Sequence, residues 1–223
     1  MEFGKTPPSA APEQPRSLIR RLQGSALALV AANLVPVFGV LALGWSVGPL
    51  MVLYWAENLV VGFFNVLKMR RAQGPYDSSR FLLNGKPVED KNRNGLIGFF
   101  IVHYGFFTLG HGIFVLVMFG RGLSLSLREI GLAFACLLLS HWISYRRNFI
   151  GRLEYRRLSF PTLFWQPYKR IVVMHLTIIF GGAFVQSRGS PLPALLVMVG
   201  LKTLIDLASH VLEHRKIAAA PAS

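Results

Sequence analysis

The sequence predicts an all-α polytopic membrane protein, a bundle of six transmembrane helices, and three observations carry that prediction. Of 223 residues, 52% are hydrophobic and 15% charged, against roughly 45–50% and about 25% in soluble domains. Mean hydropathy is +0.45. The apolar residues gather in six runs, and at roughly 20 residues per span this length holds about six of them. A separate soluble domain of about 100 residues does not fit beside them. Finally, the chain has 24 Lys and Arg against 10 Asp and Glu, and 20 of those bases fall on one side of the apolar runs.

Residues 1–16, rich in Pro, Ala, Ser and charge, read as a disordered cytoplasmic tail. Arg16, Arg20 and Arg21 precede the first run, 25–44. It is longer than the roughly 7–15 apolar residues of a cleaved signal peptide and reads as a retained span. A turn through Gly44, Gly48 and Pro49 leads to the second run, 49–67, followed by runs at 96–119, 130–145, 171–185 and 192–212. The transmembrane domain is thus 17–214, with a short cytoplasmic tail at 215–223.

The residues ahead of the first run, the 68–95 and 146–170 loops and the C-terminal end hold 4, 7, 7 and 2 Lys or Arg. The other connections hold Arg121, Arg128 and Arg188, and Lys202 lies within the sixth run. That asymmetry places both termini in the cytoplasm. Topology and anionic headgroups on the cytoplasmic side account for the charge, so membrane lipids are the expected partners and nucleic acid is not. The 146–170 loop mixes seven bases with Phe149, Tyr155, Phe160, Phe164, Trp165 and Tyr168, a composition suited to a membrane-surface anchor. The 69–95 loop is polar, with Asn84-Gly85 and Asn94-Gly95 turns. The single cysteine, Cys136, excludes an internal disulfide and a Cys-based zinc cluster.

Ionisable groups inside spans face the bundle interior and mark function. In the second run, Tyr54, Glu57, Asn58 and Asn65 lie within about 100° of one another on a helix. In the sixth, Lys202, Asp206, Ser209, His210 and Glu213 form another stripe. At ~1.5 Å per residue from each cytoplasmic end, His141, His175 and His210 lie roughly 5–6 Å deep, His103 and Asp206 about 10 Å, and Glu57 about 15 Å. His111 falls in the middle or outer half. Neutral imidazoles with a carboxylate suit zinc or another divalent transition metal. His103, His175, Asp206, His210 and His141 are the candidate ligands. Glu57 is then the candidate general base, with Asn58 or Tyr54 as oxyanion partner. The expected function is an intramembrane metalloprotein, a metal-dependent hydrolase of a lipid or other amphiphile. A proton-coupled transporter or channel subunit uses the same residues differently. A structural membrane protein, homo-oligomeric through small residues such as Gly181-Gly182, is the third reading.

The stretch Leu53-Tyr54-Trp55-Ala56-Glu57-Asn58, followed by Gly62-Phe63-Phe64-Asn65, resembles the signature of an uncharacterised prokaryotic multi-span membrane family, a domain of unknown function. The resemblance runs from about Ser25 to His210. It implies a multi-span membrane protein and no assigned activity; the expected location is the bacterial cytoplasmic membrane. The ligand types and their depth are also loosely similar to the ceramidase and adiponectin-receptor group, helical membrane hydrolases whose zinc is held by three histidines. Where that group has a paired His-x-x-x-His, the analogy sets Asp206-Leu207-Ala208-Ser209-His210, and it has seven spans against six here.

Overall fold

A computed structural model describes residues 30–31, 33–76, 82–83, 86–87, 92–120, 127–188 and 190–218. The 1–16 tail, the start of the first run, the Asn84-Gly85 turn and residues 219–223 lie outside the described residues. Among those described the chain is helical almost throughout. Its helices are α1 (Asn33–Leu43), α2 (Val47–Arg71), α3 (Arg93–Phe119), α4 (Leu127–Ser144), α5 (Phe160–Trp165), α6 (Tyr168–Arg188) and α7 (Leu192–Ala218). Each of the six apolar runs contains a helix, and α5 is a seventh. Two short strands, β1 (Leu82–Leu83) and β2 (Lys86–Pro87), pair antiparallel on either side of the predicted turn.

Both α2 and α3, of 25 and 27 residues, are long and apolar enough to cross a membrane. The outer face of α3 is apolar and uncovered: Val102 is 73% exposed and Phe106 75%, with Leu109, Ile113 and Val117 continuing the surface. A surface of that extent marks contact with something other than water.

Helix α2 is the centre of the bundle, with α3, α4, α5, α6 and α7 all packed on it. One apolar core lies toward its C-terminal end, where Phe64 and Met69 meet Phe100, Phe149, Leu163 and Phe164. The other lies toward its N-terminal end, where Met51 and Val52 meet Val115, Met174, Leu195 and Met198. Two glycines bring α2 and α3 together. A Cβ at Gly62 would sit 2.6 Å from the Tyr104 ring, and one at Gly112 would sit 2.5 Å from the Trp55 ring. The Trp55 indole N–H donates to the Thr108 carbonyl at 2.7 Å across the same contact. Gly181 and Gly182 are used within the chain: Gly181 lies against Ala194 of α7 and Gly182 against Met118 of α3.

The 146–170 segment differs from expectation. After α4 the chain makes a π-helical turn, Tyr145–Ile150, with Tyr145 and Phe149 buried. A left-handed residue, Leu153 (φ 58°), and a 3-10 turn, Glu154–Arg156, follow. Backbone N–H groups of Gln73 and Gly74 donate to the carbonyls of Tyr155 (2.7 Å) and Leu158 (3.1 Å), pinning this turn to the end of α2. The Ser159 side chain then caps α5, and Phe160, Leu163 and Phe164 are buried. Asn65 of α2 donates to the Leu163 carbonyl at 2.7 Å, satisfying a carbonyl that the end of α5 leaves open.

Within the 146–170 segment, Phe160, Leu163 and Phe164 therefore belong to the core, while Trp165 and Lys169 stay on the surface. Arg146, Arg147, Arg152, Arg156 and Arg157 are exposed, while Phe160 and Phe164 of α5 turn inward and Trp165 stays 58% exposed. Composition alone cannot separate these two faces. Pro167, which has no N–H to continue a helix, breaks the chain between α5 and α6. The first turn of α6 consequently lies beside His103 and Tyr104, 11 residues or roughly 16 Å along α3 from Arg93.

Candidate functional site

Because α6 starts so far along α3, its third residue reaches the middle of α2. Arg170 donates from Nη2 to Glu57 Oε2 at 2.5 Å and from Nε to Asn58 Oδ1 at 2.9 Å. Its guanidinium lies 5.0 Å from the centre of the Tyr54 ring. Helical spacing puts these three partners together, since Asn58 is one turn from Tyr54 and donates to its carbonyl at 3.1 Å. The Tyr104 hydroxyl donates to the Asn58 carbonyl at 3.0 Å, fixing the same turn from the α3 side. His141 of α4 sits on the other carboxylate oxygen, with Nε2 3.6 Å from Glu57 Oε1. Its ring stacks on Phe64 at 6.0 Å.

A second charged knot lies on α7. Lys202 donates to Asp206 Oδ2 at 3.0 Å, one turn along, and Asn33 of α1 donates to the same oxygen at 3.0 Å. Lys202 also donates to Asn33 Oδ1.

Between the two knots is a cleft of about 370 Å³. Lys68, Lys169, Arg170 and Lys202 contribute to its wall with His141, Tyr54 and Gln166, against the single carboxylate of Asp206. The cleft follows α2 from Lys68 back to Tyr54, 14 residues or roughly 21 Å. At its inner end the positive end of the α6 dipole adds to the cationic side chains. The balance favours a negatively charged occupant.

The remaining predicted residues are placed separately. His103 Nδ1 lies 3.1 Å from the Tyr168 hydroxyl, and its ring stacks on Phe99 at 5.0 Å. His175 Nδ1 lies 3.1 Å from Nε2 of the buried His111. This pair borders an apolar pocket of about 540 Å³ whose wall includes Phe106, Phe107, Phe114 and Ile179. His175 and His111 meet even though counting from the run ends sets them at different depths, because α6 begins inside the bundle. Among the described residues no group of three or more His, Cys, Asp or Glu side chains is arranged to hold a metal ion. The side chain of His210 lies outside the described residues.

Two residues escape the sequence reasoning. Arg170 reads as one base of a surface loop, although the apolar runs give a signal. They hold Glu57 and Asp206 with Lys202 as the one embedded base, so a second cation has to come from elsewhere in the chain. His214 is the other. The backbone of α7 is helical through Ala218, so Asp206, His210 and His214 fall on one face at successive i, i+4 positions; the His214 side chain is also outside the described residues.

A sequence family described as a family of unknown function (DUF6498) matches residues 16–223. No curated protein and no solved structure matches the chain.

Proposed function

The chain belongs to DUF6498, a family of unknown function, and from the site itself we propose a six-span membrane protein that admits an anion from the cytoplasmic side. Both termini are cytoplasmic, and binding in the cleft where α6 begins is the first step of transport. One observation carries this reading: Arg170 is held by Glu57, Asn58 and the Tyr54 ring in the wall of a cleft with three lysines. An arginine fixed by neighbours cannot swing away, and four cationic side chains share the cleft wall with the one carboxylate of Asp206. Interrupted helices at mid-depth, with the positive end of the second half facing an anionic group, are a recurring solution in secondary transporters. The uncovered apolar face of α3 and the one-sided distribution of bases support the six spans.

The test is thermal unfolding of the detergent-purified protein while inorganic phosphate replaces chloride at constant ionic strength. Saturation near 100 times the dissociation constant stabilises by about 2.7 kcal/mol. Wild type is expected to gain stability and a Lys169→Gln/Lys202→Gln variant to lose most of the gain. Equal behaviour of the two proteins overturns the site.

A metal-dependent hydrolase is the second reading, favoured by the Asp206, His210, His214 spacing on α7. Elemental analysis of the untagged protein decides it. About one equivalent of zinc, lost in His210→Ala and His214→Ala, would establish the metal site that this reading needs. Zinc content unaffected by both substitutions would remove it.

A further inference from the structure

A separate pocket lies where the ends of α2 and α3 meet the turn after α4. It is open, about 420 Å³ in volume, and lined by Arg70, Arg71, Gln73, Arg93, Ile150 and Tyr155, with the backbone of Ala72. Among the described residues no carboxylate lines it. The connection is held rather than loose, because the Gln73 N–H donates to the Tyr155 carbonyl at 2.7 Å.

Arg93 is the fixed member. Its Nη2 donates to the carbonyl of the buried Ala72, and its guanidinium lies 5.1 Å from the centre of the Phe160 ring. Its Nε is buried without a hydrogen-bond partner. Arg70 and Arg71 stand opposite, exposed on the last turn of α2. The general rule that bases gather on the cytoplasmic side explains three arginines here. It does not explain why one is anchored on a carbonyl and a ring in the wall of a pocket where, among the described residues, no carboxylate stands.

We propose that this pocket binds the phosphate of a cytoplasmic-leaflet lipid headgroup. Guanidinium groups match phosphate oxygens with paired N–H donors, and three of them favour the two charges of a monoester over the single charge of a diester. The lipid as source rests on the six-span reading, which sets the ends of α2 and α3 at headgroup level. The phosphate chemistry does not depend on it.

The experiment uses the full chain in phosphatidylcholine nanodiscs doped with phosphatidic acid or with phosphatidylglycerol, and counts retained lipid by native mass spectrometry. Wild type should retain phosphatidic acid over phosphatidylglycerol. The Arg70→Gln/Arg71→Gln variant, altered at exposed positions that carry no packing, should lose at least about tenfold of that affinity. Arg93→Lys, which keeps the charge and loses the fork, should fall between. Competition by glycerol phosphate in detergent at comparable affinity would support the pocket with free phosphate as its source. Equal retention by wild type and the double variant would overturn the proposal. Extraction of the protein from membranes by alkaline carbonate would separately overturn the six spans.

Discussion

The two charged knots that flank the cleft are alike in composition and opposite in construction. Each has one acid, one base and one asparagine. In the knot on α7, Lys202 and Asp206 are one helical turn apart, with side chains 32% and 36% exposed, and only Asn33 comes from another helix. In the knot on α2, Arg170 and Glu57 are 113 positions apart in sequence, 23% and 27% exposed. Asn58, the Tyr54 ring and His141 complete it. The first pair forms whenever its helix forms. The second forms only when α5 folds back and α6 begins beside Tyr104. A pair that needs the whole bundle is the more expensive to break, because each partner is held where nothing else can replace the other.

The largest expected effect follows from that difference. Arg170→Ala leaves Glu57 partly buried without its main counter-charge and should destabilise the protein by about 3 kcal/mol in reversible detergent unfolding. A loss well under 1 kcal/mol would mean that the two knots are equivalent after all.

A double-mutant cycle sharpens the same point. Glu57→Gln should cost much less in an Arg170→Gln background than in wild type, with a coupling of about 2 kcal/mol. Additive costs would show that Arg170 and Glu57 act through separate contacts.

Next comes Gly62→Ala, which drives a methyl group into Tyr104 and so disturbs the residue that holds the Asn58 carbonyl. A cost of about 1–2 kcal/mol is expected, together with weaker anion binding. Gly98→Ala is the matched control, since a Cβ there meets nothing within 4 Å.

The smallest effect belongs to the other knot. Lys202→Gln should change stability by less than about 1 kcal/mol, as i, i+4 pairs on one helix do, while still lowering anion affinity. If it destabilises as much as Arg170→Ala, the local or long-range origin of the pair is not what separates the two regions.

Much of the fold is legible in the sequence because it is written locally. Apolar runs of sufficient length call for helices, and a helix lies in each of the six. Periodicity puts Tyr54, Glu57 and Asn58 on one face, where they meet a common partner. The i, i+4 spacing of Lys202 and Asp206 makes their contact legible too. By contrast, reading 146–170 as a single surface segment follows its composition, whereas the burial of Phe160, Leu163 and Phe164 depends on packing against α2 and α3 that no local window contains. The depth count failed for His111 and His175 for a related reason. It starts every run at one plane, and α6 starts inside the bundle.

The sequence by itself determines the helices, their apolar faces and the polar stripe that runs along each, since all three depend on neighbours within about one turn. Which stripes meet is decided by the tertiary structure alone. The break at Pro167, the burial of α5 and the close approach at Gly62 set the distance along α2 at which Arg170 arrives. A shift of one turn, about 5.4 Å, would carry its guanidinium past Glu57 and Asn58. Side-chain pairing across helices depends on that offset, which no spacing within one segment encodes.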